Sequence, residues 1–217
     1  FAIIASKMGI DVQLARGLLA LFGKNPKFVL LGFLLVTGIF SMFISNTATA
    51  AMMLTFMAPV LRQLPEDDKG RIGLVMAIPI GANIGGMATP VGTPPNAIAL
   101  KYLNDPAGLG FNIGFGDWAM VMMPFTILLL ILAWLLLIKL FPFKDKEIHL
   151  NIEGNTVKGP RLVIAYITLG LTIVLWLLDK VTGINANTVA MIPIAIFCVT
   201  GLFGKEDLKE INWDVLW

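Results

Sequence analysis

The sequence SMFISNTATAAMM, residues 41 to 53, places polar side chains inside a long apolar segment. Ser45, Asn46 and Thr47 offer two hydroxyls and one amide, and Ser41 adds a hydroxyl one helical turn earlier on the same face. If the helix breaks here, the carbonyls that end the first helix suit a small hard cation, and the free N–H groups that begin the second helix attract an anion. The chemistry predicted for this stretch is the binding of a cation and an anion side by side.

A second polar stretch, GANIGGMATPVGTPPNAIAL, follows at residues 81 to 100. Its glycines allow close approach of backbones, and the prolines at 90, 94 and 95 each remove a backbone donor. We therefore expect a helix that unwinds near 88–95 and restarts around Asn96, rather than a helix with a simple proline kink. Transporters place substrate and ion sites at broken helices of this kind, near the middle of the membrane.

Neither polar stretch contains a charged side chain. An anion bound there would meet helix N-termini, hydroxyls and amides, and coupled cations would supply the positive charge. The structural alternative is that the hydroxyls only bond to backbone carbonyls, and we favour it for Thr49 and Thr55 taken alone. Asn46, between two hydroxyls at the centre of the apolar segment, is harder to explain in that way.

The composition predicts the class of protein. Hydrophobic residues make up 57% of the 217 residues and charged residues only 14%. Soluble domains carry about 25% charged residues, so this chain is expected to be an integral membrane protein. The net charge of +2 gives no indication of nucleic-acid binding, and the single cysteine, Cys198, excludes a disulfide framework. No catalytic motif is present and the only histidine, His149, lies in a polar linker, so we do not expect an enzyme.

Apolar runs without the alternation of a β-barrel predict membrane-spanning α-helices. The runs are 72–100, interrupted as described above, 118–141, 162–178 and 188–203. The segment 28–64 would form about 55 Å of helix, too long for one crossing of a ~30 Å hydrocarbon core. Two short crossings and a re-entrant hairpin with its tip at mid-depth both fit its length.

The distribution of basic residues predicts the orientation in the membrane. If both ends of the 28–64 segment face the cytoplasm, all but Lys101 and Lys180 of the 16 Lys and Arg residues lie on the cytoplasmic side. The 6–24 stretch has apolar residues at helical spacing and predicts an amphipathic helix on that surface. The chain starts without Met and stops at INWDVLW, where an apolar run begins, so we expect a longer natural protein.

Two motifs in this order and at this spacing, SMFISNTATAAMM and IGGMATPVGTPPNAI, closely resemble those of the divalent anion/sodium symporter family, the di- and tricarboxylate carriers. NANTVAMIPIAIFCVTGLF followed by INWDVLW is similar to the start of that family's second repeat. The resemblance implies an all-α integral membrane protein with inverted repeats, a re-entrant helical hairpin, a discontinuous transmembrane helix and an elevator mechanism. The second hairpin, which carries the other half of the site in that family, is not among these 217 residues.

The resemblance, together with the pattern of polar linkers, divides the chain into five segments. These are a cytoplasmic amphipathic connecting helix at 1–27, the re-entrant hairpin with the SNT tip at 28–64, the broken helix and following span of the transport unit at 72–141, a cytoplasmic linker at 142–161, and scaffold helices that open the second repeat at 162–217. The resemblance also implies a homodimer, and we expect it in the lipid bilayer of a bacterial inner membrane.

The resemblance further implies a sodium site and a substrate site at the hairpin tip. Sodium would be held by Ser41, Ser45, Asn46 and the backbone at Gly92, and a substrate carboxylate by Ser45, Asn46 and Thr47, with Thr93 and Asn96 nearby. The expected function is transport of a dicarboxylate of the succinate, malate or 2-oxoglutarate class, coupled to Na⁺. A sodium-independent anion exchanger, a carrier of an inorganic divalent oxyanion, and a non-transporting scaffold or inactive fragment are the alternatives.

Overall fold

The computed structural model describes residues 2–144, 147–148, 159–184 and 186–210, so His149, much of the 142–161 linker and the INWDVLW segment lie outside the described residues. Every regular element in the described ranges is a helix, as the composition predicts. The helices are α1 (Ala2–Met8), α2 (Ile10–Ala20), α3 (Pro26–Ser41), α4 (Asn46–Leu61), α5 (Gly70–Gly86), α6 (Pro94–Leu103), α7 (Phe115–Leu140), α8 (Pro160–Leu177), α9 (Asp179–Thr182), α10 (Ala186–Val199) and a 3₁₀ turn at Asp207–Glu210.

The chain divides into two compact units. The first consists of Phe1–Gln13, Gly114–Gly116 and Gly154–Trp217, and the second consists of Leu14–Ile113 and Asp117–Glu153. The helices with the two polar stretches, α3 to α6, all belong to the second unit. The candidate site is therefore built within a single compact unit.

The N-terminal stretch is not the continuous helix predicted over 6–24. Gly9 adopts a left-handed backbone conformation with φ +66° and separates α1 from α2. Glycine takes up this conformation without the steric cost that a Cβ brings, so the sequence permits the break at this position. A second left-handed glycine, Gly23, follows the end of α2.

In the first unit, α8 packs against α10 and α1. Lys7, at the end of α1, donates to both carboxylate oxygens of Asp207 at 2.8 Å. The backbone N–H of Phe115 donates to Asp179 Oδ2 at 2.6 Å, and the Phe115 ring stacks on Trp176 with ring centroids 5.1 Å apart. Ion pairs and aromatic stacking thus join segments that are distant in sequence.

The second unit is built around α3, which packs along α5. The α3 helix begins where Asn25 Oδ1 accepts a hydrogen bond from the backbone N–H of Lys27 at 3.0 Å. A Cβ on Gly85 would lie 2.3 Å from Gly38 Cα, and a Cβ on Gly81 would lie 2.6 Å from the Leu34 carbonyl oxygen. The two backbones approach this closely only because the contact residues are small, as at helix contacts in membranes.

The 28–64 segment forms two helices rather than one. A four-residue connection, 42–45, joins α3 to α4, and each of the two helices has 16 residues. At 1.5 Å per residue each is about 24 Å long, which is less than the ~30 Å thickness of the hydrocarbon core. The buried positions of α4 form one stripe along the helix, at Thr49, Met53, Phe56, Met57 and Val60.

The interruption predicted near 88–95 is present at 87–93, between α5 and α6. Asn96 Nδ2 donates to the carbonyl oxygens of Gly86 and Thr89, each at 2.8 Å. The Thr89 hydroxyl in turn donates to the carbonyl of Met42. These bonds pair carbonyls that the interruption leaves without helical partners, and they attach the interruption to the hairpin tip.

Within the described residues, α7 and α8 are long and apolar enough to cross a membrane. In the second unit, α7 is fixed at two levels by indole hydrogen bonds, from Trp118 to the carbonyl of Met87 at 3.1 Å and from Trp134 to the carbonyl of Lys27 at 2.8 Å. The first bond reaches the helix interruption and the second reaches the start of α3. The α7 helix is therefore attached both to the helix interruption and to the start of α3.

Candidate functional site

The candidate site lies where the hairpin tip meets the helix interruption. The α3 helix ends at Ser41 and α4 begins at Asn46, so the last carbonyls of one helix and the first N–H groups of the next lie close together. The Ser45 side chain caps α4, because its hydroxyl oxygen accepts from the backbone N–H of Ala48 at 3.4 Å. The capping bond of Ser45 thus marks where α4 begins and the hairpin tip ends.

Three oxygen atoms converge beside the tip. Ser41 Oγ lies 2.7 Å from Asn46 Oδ1 and 2.8 Å from the carbonyl oxygen of Ala82. A hydroxyl has one proton and both neighbours are acceptors, so only one of these contacts is a hydrogen bond at any moment. The cluster has more lone pairs than protons, and Ser41 is fully buried. A small hard cation is the partner that such a set of oxygens suits.

The amide of Asn46 is held from both sides. Its Oδ1 faces Ser41, while its Nδ2 donates to Asn83 Oδ1 at 3.0 Å. Gly86 leaves room for it, since a Cβ on Gly86 would lie only 2.6 Å from Asn46 Oδ1. Asn46 therefore presents its oxygen to the oxygen cluster and its N–H groups to the other side.

Gly92 brings the helix interruption against the end of α3. A Cβ on Gly92 would lie 2.4 Å from the carbonyl oxygen of Gly86 and 3.0 Å from that of Ser41. Glycine is thus required here by close backbone approach. Of the residues predicted for the cation, Ser41, Asn46 and Gly92 are brought together, and the hydroxyl oxygen of Ser45, the fourth, accepts the capping hydrogen bond of α4.

The residues predicted for the substrate carboxylate occupy different environments. Thr47 is exposed in the first turn of α4. Thr93 is half-buried immediately before α6, and its side chain makes no capping hydrogen bond to that helix. Asn96 is buried, 8% exposed, and its two amide hydrogens are directed to Gly86 and Thr89. The structure therefore gives the Asn96 amide a backbone partner within the interruption.

The electric field at the tip comes from dipoles. Residues 41–47 and 81–96 contain no charged side chain. The first N–H groups of α4 have no intrahelical partner and carry the positive end of its dipole. The α6 helix is a poorer donor because its first two residues, Pro94 and Pro95, lack N–H groups. An anion is therefore favoured at the start of α4.

Sequence reasoning missed three groups that shape the site. Asn83 holds the Asn46 amide, the Ala82 carbonyl joins the oxygen cluster, and the Thr89 hydroxyl ties the interruption to the tip. For Asn83 a signal was present, since it is an amide within the otherwise apolar run AIPIGANIGG. A backbone carbonyl such as that of Ala82 leaves no signature in the sequence.

A comparison with protein families matches residues 1–217 to the model of the citrate transporter family. The chain is 33% identical to the sodium-dependent dicarboxylate transporter SdcS of Staphylococcus aureus, over 99% of this chain and 46% of that protein. It is 32% identical to the sodium-dependent high-affinity dicarboxylate transporter 3 of Caenorhabditis elegans, over 76% of this chain and 32% of that protein.

Phosphate transporters are also similar to this chain. The low-affinity phosphate transporter PHO90 of Saccharomyces cerevisiae is 31% identical over 92% of this chain and 22% of that protein. The chain thus spans less than a quarter of the yeast protein and just under half of the bacterial one. These relatives are named as transporters and not as enzymes, and the resemblance carried by the two motifs is confirmed. The chain belongs to the citrate transporter family.

Proposed function

We propose that the protein is a secondary active transporter of dicarboxylates of the succinate, malate or 2-oxoglutarate class, coupled to Na⁺. The observation that carries the proposal is the cluster of Ser41 Oγ, Asn46 Oδ1 and the Ala82 carbonyl oxygen, which share one hydroxyl proton beside the N-terminus of α4. A cation satisfies the oxygens, and a carboxylate satisfies the N–H groups of α4. Two ions of opposite sign thereby stabilise each other at adjoining positions.

Sodium enters this scheme as a co-transported substrate. Ser41, Ser45, Asn46 and the backbone at Gly92 would hold it, with the Ala82 carbonyl as a further oxygen. Uncharged oxygen ligands replace part of the hydration shell of Na⁺ without trapping the ion by a fixed charge. Because no fixed charge holds it, Na⁺ can leave the site on the far side of the membrane as readily as it binds.

The carboxylate would be bound by Ser45, Asn46 and Thr47 at the start of α4, with Thr93 at the end of the helix interruption and Asn96 in the first turn of α6 nearby. The exposed Thr47 hydroxyl and the Thr93 hydroxyl are donors that α4 and α6 do not use for capping. Asn96 acts by holding the interruption, since it bonds to the carbonyls of Gly86 and Thr89. Bound Na⁺ supplies the positive charge that the side chains lack.

We place the α3–α4 hairpin in the membrane as a re-entrant structure. Support comes from the length of its helices, about 24 Å each, and from the excess of basic residues predicted at both of its ends. Single cysteines at Lys24 and Gln63 should react with an impermeant thiol reagent from the cytoplasmic side alone. Reaction of the two positions from opposite sides would contradict the hairpin.

The transport cycle we propose is an elevator motion in a homodimer. The α3–α6 helices and the 118–141 span would move, 1–27 would serve as the connecting arm, and 162–203 would stay with the scaffold. The division of the chain into two compact units, with α3 to α6 in one and α8 to α10 in the other, supports this assignment. Disulfide cross-links within α3–α5 should leave transport intact, whereas cross-links from these helices to 162–203 should block it.

The function is tested by uptake of labelled succinate into proteoliposomes that contain the full-length protein. Uptake should require an inward Na⁺ gradient and should be lost when K⁺ replaces Na⁺. Uptake that needs only a counter-loaded anion would instead establish a sodium-independent exchanger. Absence of any uptake from an intact, monodisperse preparation would favour a non-transporting protein.

Transport of inorganic phosphate is the second candidate function. It is supported by the similarity to PHO90 of Saccharomyces cerevisiae, which extends over 92% of this chain. Phosphate and a carboxylate are both anions that bind at helix N-termini, so the start of α4 suits either one. Labelled phosphate in the same proteoliposomes, with and without excess succinate, separates the two candidates.

A further inference from the structure

We infer that Asn83 is a positioning residue that selects which end of the Asn46 amide faces the cation site. This inference rests on the proposed function, because it concerns the sodium that the hairpin tip would bind. Asn83 lies in α5, and its Oδ1 accepts from Asn46 Nδ2 at 3.0 Å. Among the described residues it is the partner on the side of Asn46 that faces away from Ser41.

The hydrogen bonds around Ser41 by themselves favour the opposite orientation of the Asn46 amide. If Nδ2 pointed toward Ser41, it could donate to Ser41 Oγ, and the Ser41 proton could go to the Ala82 carbonyl, so every contact would have a proton. In the observed orientation two acceptors, Asn46 Oδ1 and the Ala82 carbonyl, compete for one hydroxyl proton. An acceptor on the opposite side of Asn46 that receives a hydrogen bond from Nδ2 favours the orientation in which Oδ1 faces Ser41.

Asn83 supplies that acceptor. Its Oδ1 accepts from Asn46 Nδ2, and while Asn83 presents this oxygen the amide oxygen of Asn46 points to the oxygen cluster. An amide nitrogen carries no lone pair that a cation can use, so an Asn46 side chain in the opposite orientation would present a donor to Na⁺. Asn83 thereby converts an amide with two different ends into an oxygen ligand.

The test is equilibrium binding of radioactive Na⁺ to the purified full-length protein in the absence of any substrate. Asn83→Ala should raise the Na⁺ concentration for half-saturation by about fivefold, which corresponds to the loss of roughly 1 kcal/mol from one neutral hydrogen bond. Asn83→Asp keeps an acceptor at this position and should restore binding to the native level or better. Since aspartate also fills the volume of asparagine, the separation from a packing role rests on the Asn46→Asp background.

The decisive control uses Asn46→Asp, whose carboxylate has two equivalent oxygens and hence no orientation to select. In that background Asn83→Ala should change Na⁺ half-saturation by less than about twofold, because positioning is then unnecessary. An equal loss in both backgrounds would overturn the inference and assign Asn83 a general structural role. Size-exclusion profiles and melting temperatures of all variants check that each protein is folded.

Failure of this inference is distinguishable from failure of the proposed function. If Asn83→Ala binds Na⁺ like the native protein while Asn46→Ala does not bind it, the sodium site stands and the role of Asn83 is refuted. If the native protein shows no saturable Na⁺ binding, both the sodium coupling and the positioning role are refuted together.

Discussion

Gly86→Ala is the sharpest test of the hairpin tip, because it adds one methyl group against one site atom. The new Cβ would lie 2.6 Å from Asn46 Oδ1, whereas an ordinary contact begins at 3.4 Å, so the oxygen must withdraw by about 0.8 Å. Gly86 has no left-handed backbone conformation, so alanine fits the backbone itself. The perturbation therefore reaches the amide of Asn46 without unfolding α5.

The size of the effect follows from what that oxygen does. Withdrawal of Asn46 Oδ1 from the Ser41 cluster removes one ligand from the cation, and interactions of this kind with a charged group contribute about 1.5–3 kcal/mol. At 1.4 kcal/mol per tenfold change, Na⁺ half-saturation should rise about 10- to 100-fold. Sodium-dependent succinate uptake by the full-length protein, measured over a range of Na⁺ concentrations, gives this constant directly.

The matched control is Gly17→Ala, the same chemical change in α2. A Cβ on Gly17 has no atom within 4 Å, and its backbone is not left-handed. This variant should transport like the native protein and melt at the same or a slightly higher temperature, because alanine favours a helix. A folded Gly86→Ala protein with native Na⁺ half-saturation would refute the assignment of Asn46 Oδ1 to the cation.

Three further predictions follow from other contacts. Asn46→Asp should abolish dicarboxylate uptake at neutral pH in a folded protein, because two unit charges 4 Å apart at an effective dielectric of 20 repel by about 4 kcal/mol, or nearly three decades of affinity; unchanged uptake constants in Asn46→Ala would remove the residue from the site. Gly85→Ala should lower the melting temperature strongly, since its Cβ would lie 2.3 Å from the Gly38 backbone and overpacking costs about 1–3 kcal/mol or more; a native melting temperature would contradict the close α3–α5 contact. The hydrogen bond from Lys7 holds the pKa of Asp207 below its ordinary value of 3.8, so the pair should stabilise the fold above pH 3.8 and lose its effect as the pH falls through the lower folded pKa. The melting-temperature difference between the native protein and Lys7→Met should accordingly shrink in acid, and a difference that is constant with pH would exclude the ion pair as its cause.

The helical elements could be predicted from the sequence because their signals are local. The three prolines and the glycines of residues 81 to 100 predict the helix interruption, and it lies at 87–93. The length of the 28–64 segment excludes a single span, and it forms α3 and α4. The continuous helix predicted over 6–24 is wrong because that prediction followed the spacing of the apolar residues alone. Gly9 permits the left-handed conformation that separates α1 from α2 but does not require it, so the residue type alone does not predict the break.

The residue types at the site could be predicted, but their hydrogen-bond partners could not. Ser41 and Asn46 stand out because polar groups within an apolar run need a partner. Their partners, Ala82 and Asn83, lie about forty residues further along and reach them only because Gly81 and Gly85 let α5 approach α3 closely. Such pairs depend on helix rotation and side-chain orientation, which a local pattern does not determine.

Because the hydrogen-bond partners of Ser41 and Asn46 depend on how closely α5 approaches α3, the glycines of α5 and the amides at the site act together. Gly81 and Gly85 lie one turn apart on α5, Gly86 follows directly, and together they set the distance of α5 from the hairpin. Asn83 projects from the same helix toward Asn46. A shift of α5 away from the hairpin by about 1 Å would lengthen both the Ser41 Oγ–Ala82 and the Asn46–Asn83 contacts beyond hydrogen-bond distance. The packing that stabilises α3 against α5 therefore also fixes the geometry of the oxygen cluster. Substitutions that loosen the α3–α5 contact should weaken cation binding by the cluster.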